Sequence, residues 1–560
     1  MNSDWMQIIK TFLVALLFVF PFRPHAQSTF LQPGAKDYIL LDRLEIKMQK
    51  DSLLNFSAIR PFSRKWWAEG LQHSLDPKFD SLFSRIDRYN IRRAMLNNME
   101  WIPELPFSPV SRKSILNAFY KDPANMVMVK QKDFFLSINP VFQGQLMRDD
   151  AIDGMRYVNS RGVVLRSVVA RKVGVQAYLT ENQEKPPAFV RRLNDRFRSV
   201  QGAGLYRPFK ESGYDFFDAR GSIVFNAAKY FDVQFGYDKM FLGNGYRSLF
   251  IGDHGAPHLF LNLNLRIWKL NYSSRVMELQ PQYTRRSLGE DTLFSKKYAS
   301  IHYLSFNTPK WLTLGFFEGI VFGRLNQIEF NYLNPVIFLR AAELNVGSPD
   351  NSFIGFDAKA NLGRKIQVYG QVMLDEFYTK YIREKKGWWG NKWAFQFGLK
   401  HPDLFGIRNL DMQIEANWIR PFTYSHFDTV ANYTHYNQAL AHPLMSNVRE
   451  GIFVLRYQPA PRWYIQSRSV YWKTGEEAPG ENYGNNIFTD SDTRTKSEGI
   501  FYGSPKSVDF LNSNFWVAYE IKENLFLEGN LNYRKKEGSA SNLFSSIGIR
   551  WNMQRREYDN

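Results

Sequence analysis

Apolar residues follow two rhythms along the chain. Between residues 27 and about 128 they return at helical spacing. In YILLDRLEIKMQKDSLL, Leu40, Leu44 and Met48 share one face, with charges between them. A second helix is expected through DPKFDSLFSRIDRYNIRRAMLNN, with Leu82, Ile86 and Tyr89 on its apolar side. Pro61, Pro77, Pro103 and Pro106 punctuate this stretch, which reads as a small helical domain over 27–130. From Phe134 the period falls to two. In NLFLEGNLNYR, Leu525, Leu527, Gly529, Leu531 and Tyr533 oppose Phe526, Glu528, Asn530 and Asn532. In KIQVYGQVMLD, Ile366, Val368, Gly370, Val372 and Leu374 oppose Gln367, Tyr369, Gln371 and Asp375. GFDAKANLG sets Phe356, Ala358 and Ala360 against Asp357, Lys359 and Asn361, and LFSSIGIRW sets Leu543, Ile547, Ile549 and Trp551 against Ser546 and Arg550.

Soluble sandwiches alternate too, so the connections decide the class. Short ones fall at 170–172, 229–230, 268–269, 363–364, 459–461 and 522–524, and long ones at 181–213, 279–295, 376–391, 421–447 and 473–513. Strict alternation of short and long predicts an all-β transmembrane barrel of about 18 antiparallel strands over 131–552, with tight periplasmic turns and long outer loops. Inner-face charges then sit in a polar lumen. NMQRREYDN follows Trp551, and after Asn552 it forms a tail over 553–560, whereas many such barrels end on a terminal aromatic.

The leader fixes the compartment. Residues 1–26 place Lys10 before an apolar run that is too short to span a membrane, then Pro21, and Ala26 at the expected cut. This predicts export as a signal peptide, with Pro24 an atypical residue near the cleavage point. With no cysteine, a lipid anchor is excluded and a disulfide-built secreted fold is disfavoured. The net charge of +18 falls to +17 once Lys10, Arg23 and Asp4 leave. Nucleic acid is the usual partner of such a charge, but export removes it from reach. Surface polysaccharide or lipopolysaccharide and outer-membrane lipid fit instead. A 16% aromatic content, with 29 Tyr and 14 Trp, suits interfacial girdles or sugar platforms.

Catalytic and metal chemistry finds little support. FLGNGYRSLFIGDHGAP (241–257) holds Gly243-x-Gly245, but no third glycine and no helix follow, so it is no phosphate loop. Gly255 and Pro257 prevent His254 and His258 from aligning on a helix as metal ligands. His426, His435, His442 and Asp428 read as solvated loop residues. No nucleophile elbow occurs, and Ser248 has no local base. Asp375 and Glu376, adjacent on a strand, are expected to face opposite ways and so cannot flank one glycosidic bond. The chain is expected to be no enzyme and to need no cofactor or metal. Gly243 and Gly245 are read as a tight turn with positive φ, closed by an Arg247–Asp253 pair.

GNGYRSLFIGD, YLNPVIFLRAAE, DNSFIGFDAK, YGQVMLDEF and the N-terminal LLDRLEIK together resemble the capsule-assembly Wzi-like family of outer-membrane proteins, in its Bacteroidetes form. The resemblance spans nearly the whole mature chain. It implies an 18-stranded barrel, a periplasmic helical piece, and a role in holding exported polysaccharide at the cell surface. Some relatives are associated with gliding motility. Two loops have a composition suited to anionic sugars. FYTKYIREKKGWWGNKW carries Tyr378, Tyr381, Trp388 and Trp389 among Lys380, Arg383, Lys385 and Lys386, and FTYSHFDTVANYTHYNQ carries Tyr424, Tyr433 and Tyr436. For Trp388 and Trp389 the alternative is an outer aromatic girdle. Three functions remain: a surface-polysaccharide-binding barrel, a gliding or adhesion component acting through periplasmic or surface proteins, and a passive or selective pore.

Overall fold

The computed structural model describes residues 28–102, 104–108, 119–283, 294–336, 338–347 and 350–559. The expected leader at 1–26 lies outside them. A closed antiparallel barrel of 18 strands runs from Phe134–Asp149 to Asn542–Trp551. The shortest strand, Phe231–Asp238, has 8 residues and the longest, Lys506–Lys522, has 17. The last strand returns to the first, from Phe544 opposite Asp149 to Trp551 opposite Phe142. Closure removes the unpaired edge that an open sheet of this size would present. Among the described residues no helix is long and apolar enough to cross a membrane.

The period-two pattern sets both faces of the wall. Gln367, Tyr369, Gln371, Glu528 and Asn532 are buried in the lumen, whereas Leu527, Leu531, Leu543, Ile547 and Phe356 are exposed outside. Exposed Tyr230, Trp268 and Trp463 stand at the short-turn end in the manner of an interfacial girdle. Turns 170–172, 229–230, 268–269, 363–365, 458–462 and 523–524 share that end. Length does not alternate strictly, because 150–155 and 537–541 are also short yet lie at the long-loop end. Strands Trp463–Glu476 and Lys506–Lys522 run on beyond their expected limits, which shortens the loop between them to 477–505.

The N-terminal helices α1 (Asp37–Met48), α2 (Arg64–His73) and α3 (Arg85–Leu96) share a core that includes Leu41, Leu44, Trp67, Leu71 and Ile91. The helix expected over 76–98 is interrupted. Pro77–Leu82 forms a 3₁₀ turn, and Ser84 starts α3 afresh by a reciprocal capping box with Asp87. The buried face is Asp87, Ile91 and Met95 rather than Leu82, Ile86 and Tyr89, which are half-buried. Hydrophobic spacing missed this because an ion pair sets the helix rotation: Asp87 is buried against Arg43 and Lys47.

This bundle closes the short-turn end of the barrel by touching one turn after another. Arg266 Nη2 donates to the Ser52 carbonyl at 2.6 Å, Asn55 Nδ2 to the Lys310 carbonyl at 2.5 Å, and Asn90 Nδ2 to Gln458 Oε1 at 2.7 Å. Lys36 Nζ lies 2.7 Å from Glu523, and Arg43 Nη2 lies 3.0 Å from Asp403.

Candidate functional site

The loop at 239–257 turns into the lumen and pairs with the N-terminal region: Leu242 lies opposite Ile59 and Phe241 opposite Arg60. Gly243 has φ +156°, and an added Cβ would come within 2.7 Å of Gln371. Gly245 does not have positive φ. It is needed for close approach, since a Cβ there would sit 2.5 Å from Glu415. The Arg247–Asp253 pair does not form. Arg247 contacts Glu450 at 3.3 Å and Asp559 at 3.2 Å, while Glu415 accepts the backbone N–H groups of Tyr246 and Arg247 at 2.6 and 3.0 Å. Burial pushes the Asp253 carboxyl up, with Lys239 and Arg60 opposing. Sequence reasoning pairs Arg247 with a local partner, but the partners of its side chain lie 203 and 312 residues away.

One of these partners belongs to the C-terminal tail, which folds back into the lumen. Tyr246 Oη donates to Asp559 at 2.5 Å, Asn512 Nδ2 donates to the Tyr558 carbonyl at 2.7 Å, and Glu557 pairs with Arg468. Burial would raise the Asp559 carboxyl, but Arg247 and Arg468 hold it well below the usual range. Helical bundle, inward loop and tail together fill the lumen. A cavity of about 570 Å³ remains beside them, reaching Tyr178, Arg220, Lys239 and His254.

The histidines read as solvated are buried. His426, His435 and His442 have little exposure, while Asp428 is exposed; His435 bridges the Gln280 N–H and the Pro257 carbonyl, and His442 pairs with Glu450 at 2.9 Å. Burial drives the His254 and His435 imidazoles down to about 3. Among the described residues no group of three or more His, Cys, Asp or Glu could hold a metal. Asp375 and Glu376 do not follow simple alternation, because the ladder shifts register between Leu374 and Glu376. Asp375 accepts the Tyr424 N–H at 2.8 Å and Glu376 binds Lys392 at 2.8 Å.

The aromatic loop residues separate into two groups. Tyr424 and Tyr433 are fully buried, stacked on each other at 5.8 Å beneath the inward-folded 420–447 loop, so they offer no sugar platform. Tyr436 is half-buried against Tyr283, and the aromatic contacts place it apart from Trp388. Tyr378, Tyr381, Trp388 and Trp389 do come together at the long-loop rim. The short helix Thr379–Glu384 sets Tyr381 on Trp388 at 4.1 Å and 23°. Tyr378 meets the same indole edge-on at 5.0 Å, and Trp389 lies 6.0 Å from Trp388. Arg383 and Lys386 are exposed beside this shelf.

The neighbouring 477–505 loop completes it. The Trp389 main-chain N–H donates to the Ser497 carbonyl at 3.1 Å, and the Ile500 main-chain N–H to the Gly387 carbonyl at 2.9 Å. Arg494 lies 4.1 Å over the Trp389 ring, and Arg420 holds the Trp388 carbonyl at 3.2 Å. Sequence reasoning passed over Arg420 and Arg494. Arg494 has no aromatic-rich local context and Arg420 stands beside the other aromatic loop, so only loop docking brings them to Trp389 and Trp388. Gly387 has φ +66°, and a Cβ there would meet the Ile500 backbone at 3.0 Å. Gly387→Ala is therefore expected to cost at least the ~1–2 kcal/mol of a left-handed backbone. Faster proteolysis of the 377–391 loop in otherwise intact protein would register it.

The class so defined is a plugged 18-stranded antiparallel barrel with an apolar outer wall. No protein-family model matches the chain, and no curated protein does. Its fold is similar to that of Wzi, an outer membrane protein involved in group 1 capsule assembly in Escherichia coli and a carbohydrate-binding β-barrel. Identity is 15% and the TM-score 0.56, over 95% of this chain and 100% of that one. OprD from Pseudomonas aeruginosa aligns at 10% identity and TM-score 0.42, covering 74% and 94%. OccAB4 from Acinetobacter baumannii aligns at 9% and 0.41, covering 75% and 98%.

Proposed function

We propose that the protein is a non-enzymatic outer-membrane barrel that binds surface polysaccharide, capsular or exopolymeric, at its outer rim. The observation that carries this reading is the Tyr378–Tyr381–Trp388–Trp389 shelf, flanked by Arg383, Lys386 and Arg494. Flat aromatic faces match the C–H faces of sugar rings, and guanidinium and ammonium groups match acidic substituents. The long loops then face the cell exterior and the helical bundle faces the periplasm. The fold likeness to Wzi supports the same direction. Filling of the lumen by bundle, loop and tail speaks against an open pore.

The test is a titration of the mature chain, residues 27–560 in detergent, with the host's extracted surface polysaccharide, followed by tryptophan fluorescence. Saturable binding is expected. Truncating both indoles in Trp388→Ala/Trp389→Ala is expected to weaken it by about 2–3 kcal/mol, roughly 30- to 150-fold. If no glycan binds, the reading fails, and gliding or adhesion through protein partners becomes the direction to pursue.

A further inference from the structure

The 323–350 connection neither rises from the rim nor folds into the lumen but packs on the outer wall. Strands Lys297–Phe306 and Leu312–Phe322 alternate between lumen and exterior, and Ile301, Tyr303, Phe317 and Val321 belong to the lumen core. The intervening residues should be exposed, as Leu304 and Leu314 are. Instead Tyr298, Ile320 and Phe322 are buried on the outer side beneath Tyr332, Leu339 and Ala342 of this connection. Alternation of exposure stops where the connection covers the wall.

The depth of this covering can be read from register. Phe338 packs edge-on against Phe316 at 6.2 Å, and Tyr272 Oη donates to the Pro335 carbonyl. Tyr272 is the register partner of Leu304, and Leu304 that of Phe316, so both contacts fall on one row across three strands. That row lies about 20 Å along the strand from Phe322, hence about 15 Å in height at the usual barrel tilt. An apolar barrel band is about 25 Å tall, so this depth is well inside it.

Such a segment must satisfy its own backbone. Helix Leu339–Val346 and the 3₁₀ turn Phe330–Leu333 do so in part. The wall supplies more: Glu318 accepts the Leu339 N–H at 3.1 Å, and Tyr298 Oη donates to the Asn326 carbonyl at 3.1 Å. These bonds give Tyr272, Tyr298 and Glu318 a role on the outer face, where Glu318 also pairs with His302 at 2.8 Å. The side turned away from the barrel carries large apolar side chains, set between exposed Asn326, Gln327, Asn331, Asn334, Arg340 and Asn345. Leu325 is 97% exposed and Val336 88%, with Phe330, Phe338 and Leu344 also exposed. Charges are tied within the segment, Arg324 to Asp350 and Arg340 to Glu343.

We propose that this connection is a membrane-embedded belt whose exposed apolar side chains bind the acyl chains of the surrounding bilayer. The occupant follows from continuity with the exposed wall residues Leu314 and Phe356, from the depth, and from the main-chain groups that Glu318 and Tyr298 of the wall bond. This rests on the membrane-barrel reading above.

Because the chain has no cysteine, Val336→Cys and Leu344→Cys each give one nitroxide site in protein reconstituted into phosphatidylcholine–phosphatidylglycerol vesicles. Phe356→Cys serves as the wall reference and Lys496→Cys as the aqueous reference. Power-saturation measurements with oxygen and a neutral nickel chelate are expected to give both belt sites the oxygen-rich, nickel-poor signature of Phe356→Cys, with an oxygen-to-nickel ratio several-fold above that of Lys496→Cys. Nickel access at the belt with a lipid signature at Phe356→Cys overturns the proposal and leaves the barrel reading standing. Exclusion of both reagents from the belt also overturns it, since a second copy or another protein would then cover this face. An aqueous signature at Phe356→Cys overturns both.

Discussion

Arg43→Met is expected to release the helical bundle from the barrel mouth. The guanidinium is buried between Asp87 at 2.8 Å, Asp403 at 3.0 Å and Asp411, and Lys47 bridges Asp87 and Asp403 at 2.8 and 2.7 Å. Methionine keeps most of the stem volume and removes the charge, leaving three carboxylates to one ammonium. Breaking a buried pair in this way costs about 3–5 kcal/mol. The barrel ladder does not depend on this contact, so the loss falls on docking: residues 28–102 become protease-sensitive while the strands stay folded. An unchanged cleavage pattern would show that apolar packing alone holds the bundle.

The same cluster gives docking a pH dependence. Burial would raise the Asp403 and Asp87 carboxyls, but Arg43 and Lys47 pull both down, Asp403 to about 2 from an ordinary 3.8. A carboxylate depressed in the folded state contributes stability that is fully present above its unfolded value. That contribution disappears as pH falls through the folded value. Bundle docking in the parent protein should therefore weaken between about pH 4 and pH 2, and Arg43→Met should flatten this dependence.

Arg247→Met is expected to dislodge the C-terminal tail at a similar cost of about 3–5 kcal/mol. Its side chain binds Glu450 and both the carboxylate and main-chain carbonyl of Asp559. His442 and Asn417 still hold Glu450 after the change, so the Asp559 contact suffers most. Asp559→Asn alone should cost less. The double variant should lie close to Arg247→Met, because both lose the same pair. Carboxypeptidase access to the tail, followed by mass spectrometry, reads the effect. Strict additivity of the two single variants would show that the pair does not couple.

The barrel was legible because its signal is local. Leu527 and Leu531 outside, and Glu528 and Asn532 inside, follow from a two-residue repeat that the backbone enforces. The rim shelf was legible for a related reason. Tyr378, Tyr381, Trp388 and Trp389 lie within one loop, and a short helix and a left-handed Gly387 suffice to gather them. Tyr424 and Tyr433 show the limit. Their neighbours in sequence resemble those of the rim aromatics, yet they are buried because their loop folds inward, a choice made by Phe353 on a distant strand and by the Leu249 carbonyl on another loop.

The sequence by itself determined the class, through the strand period, the ordering of short and long connections and the aromatic content of the loops. Tertiary structure decided what fills and covers the barrel. It set Arg247 against Glu450 and Asp559, brought Arg494 to Trp389, rotated α3 to bury Asp87, and laid Phe338 on the outer wall. A repeat of two residues is imposed by the geometry of one strand. Ion pairs and loop docking between residues tens to hundreds apart depend on barrel closure, and no local pattern encodes their partners.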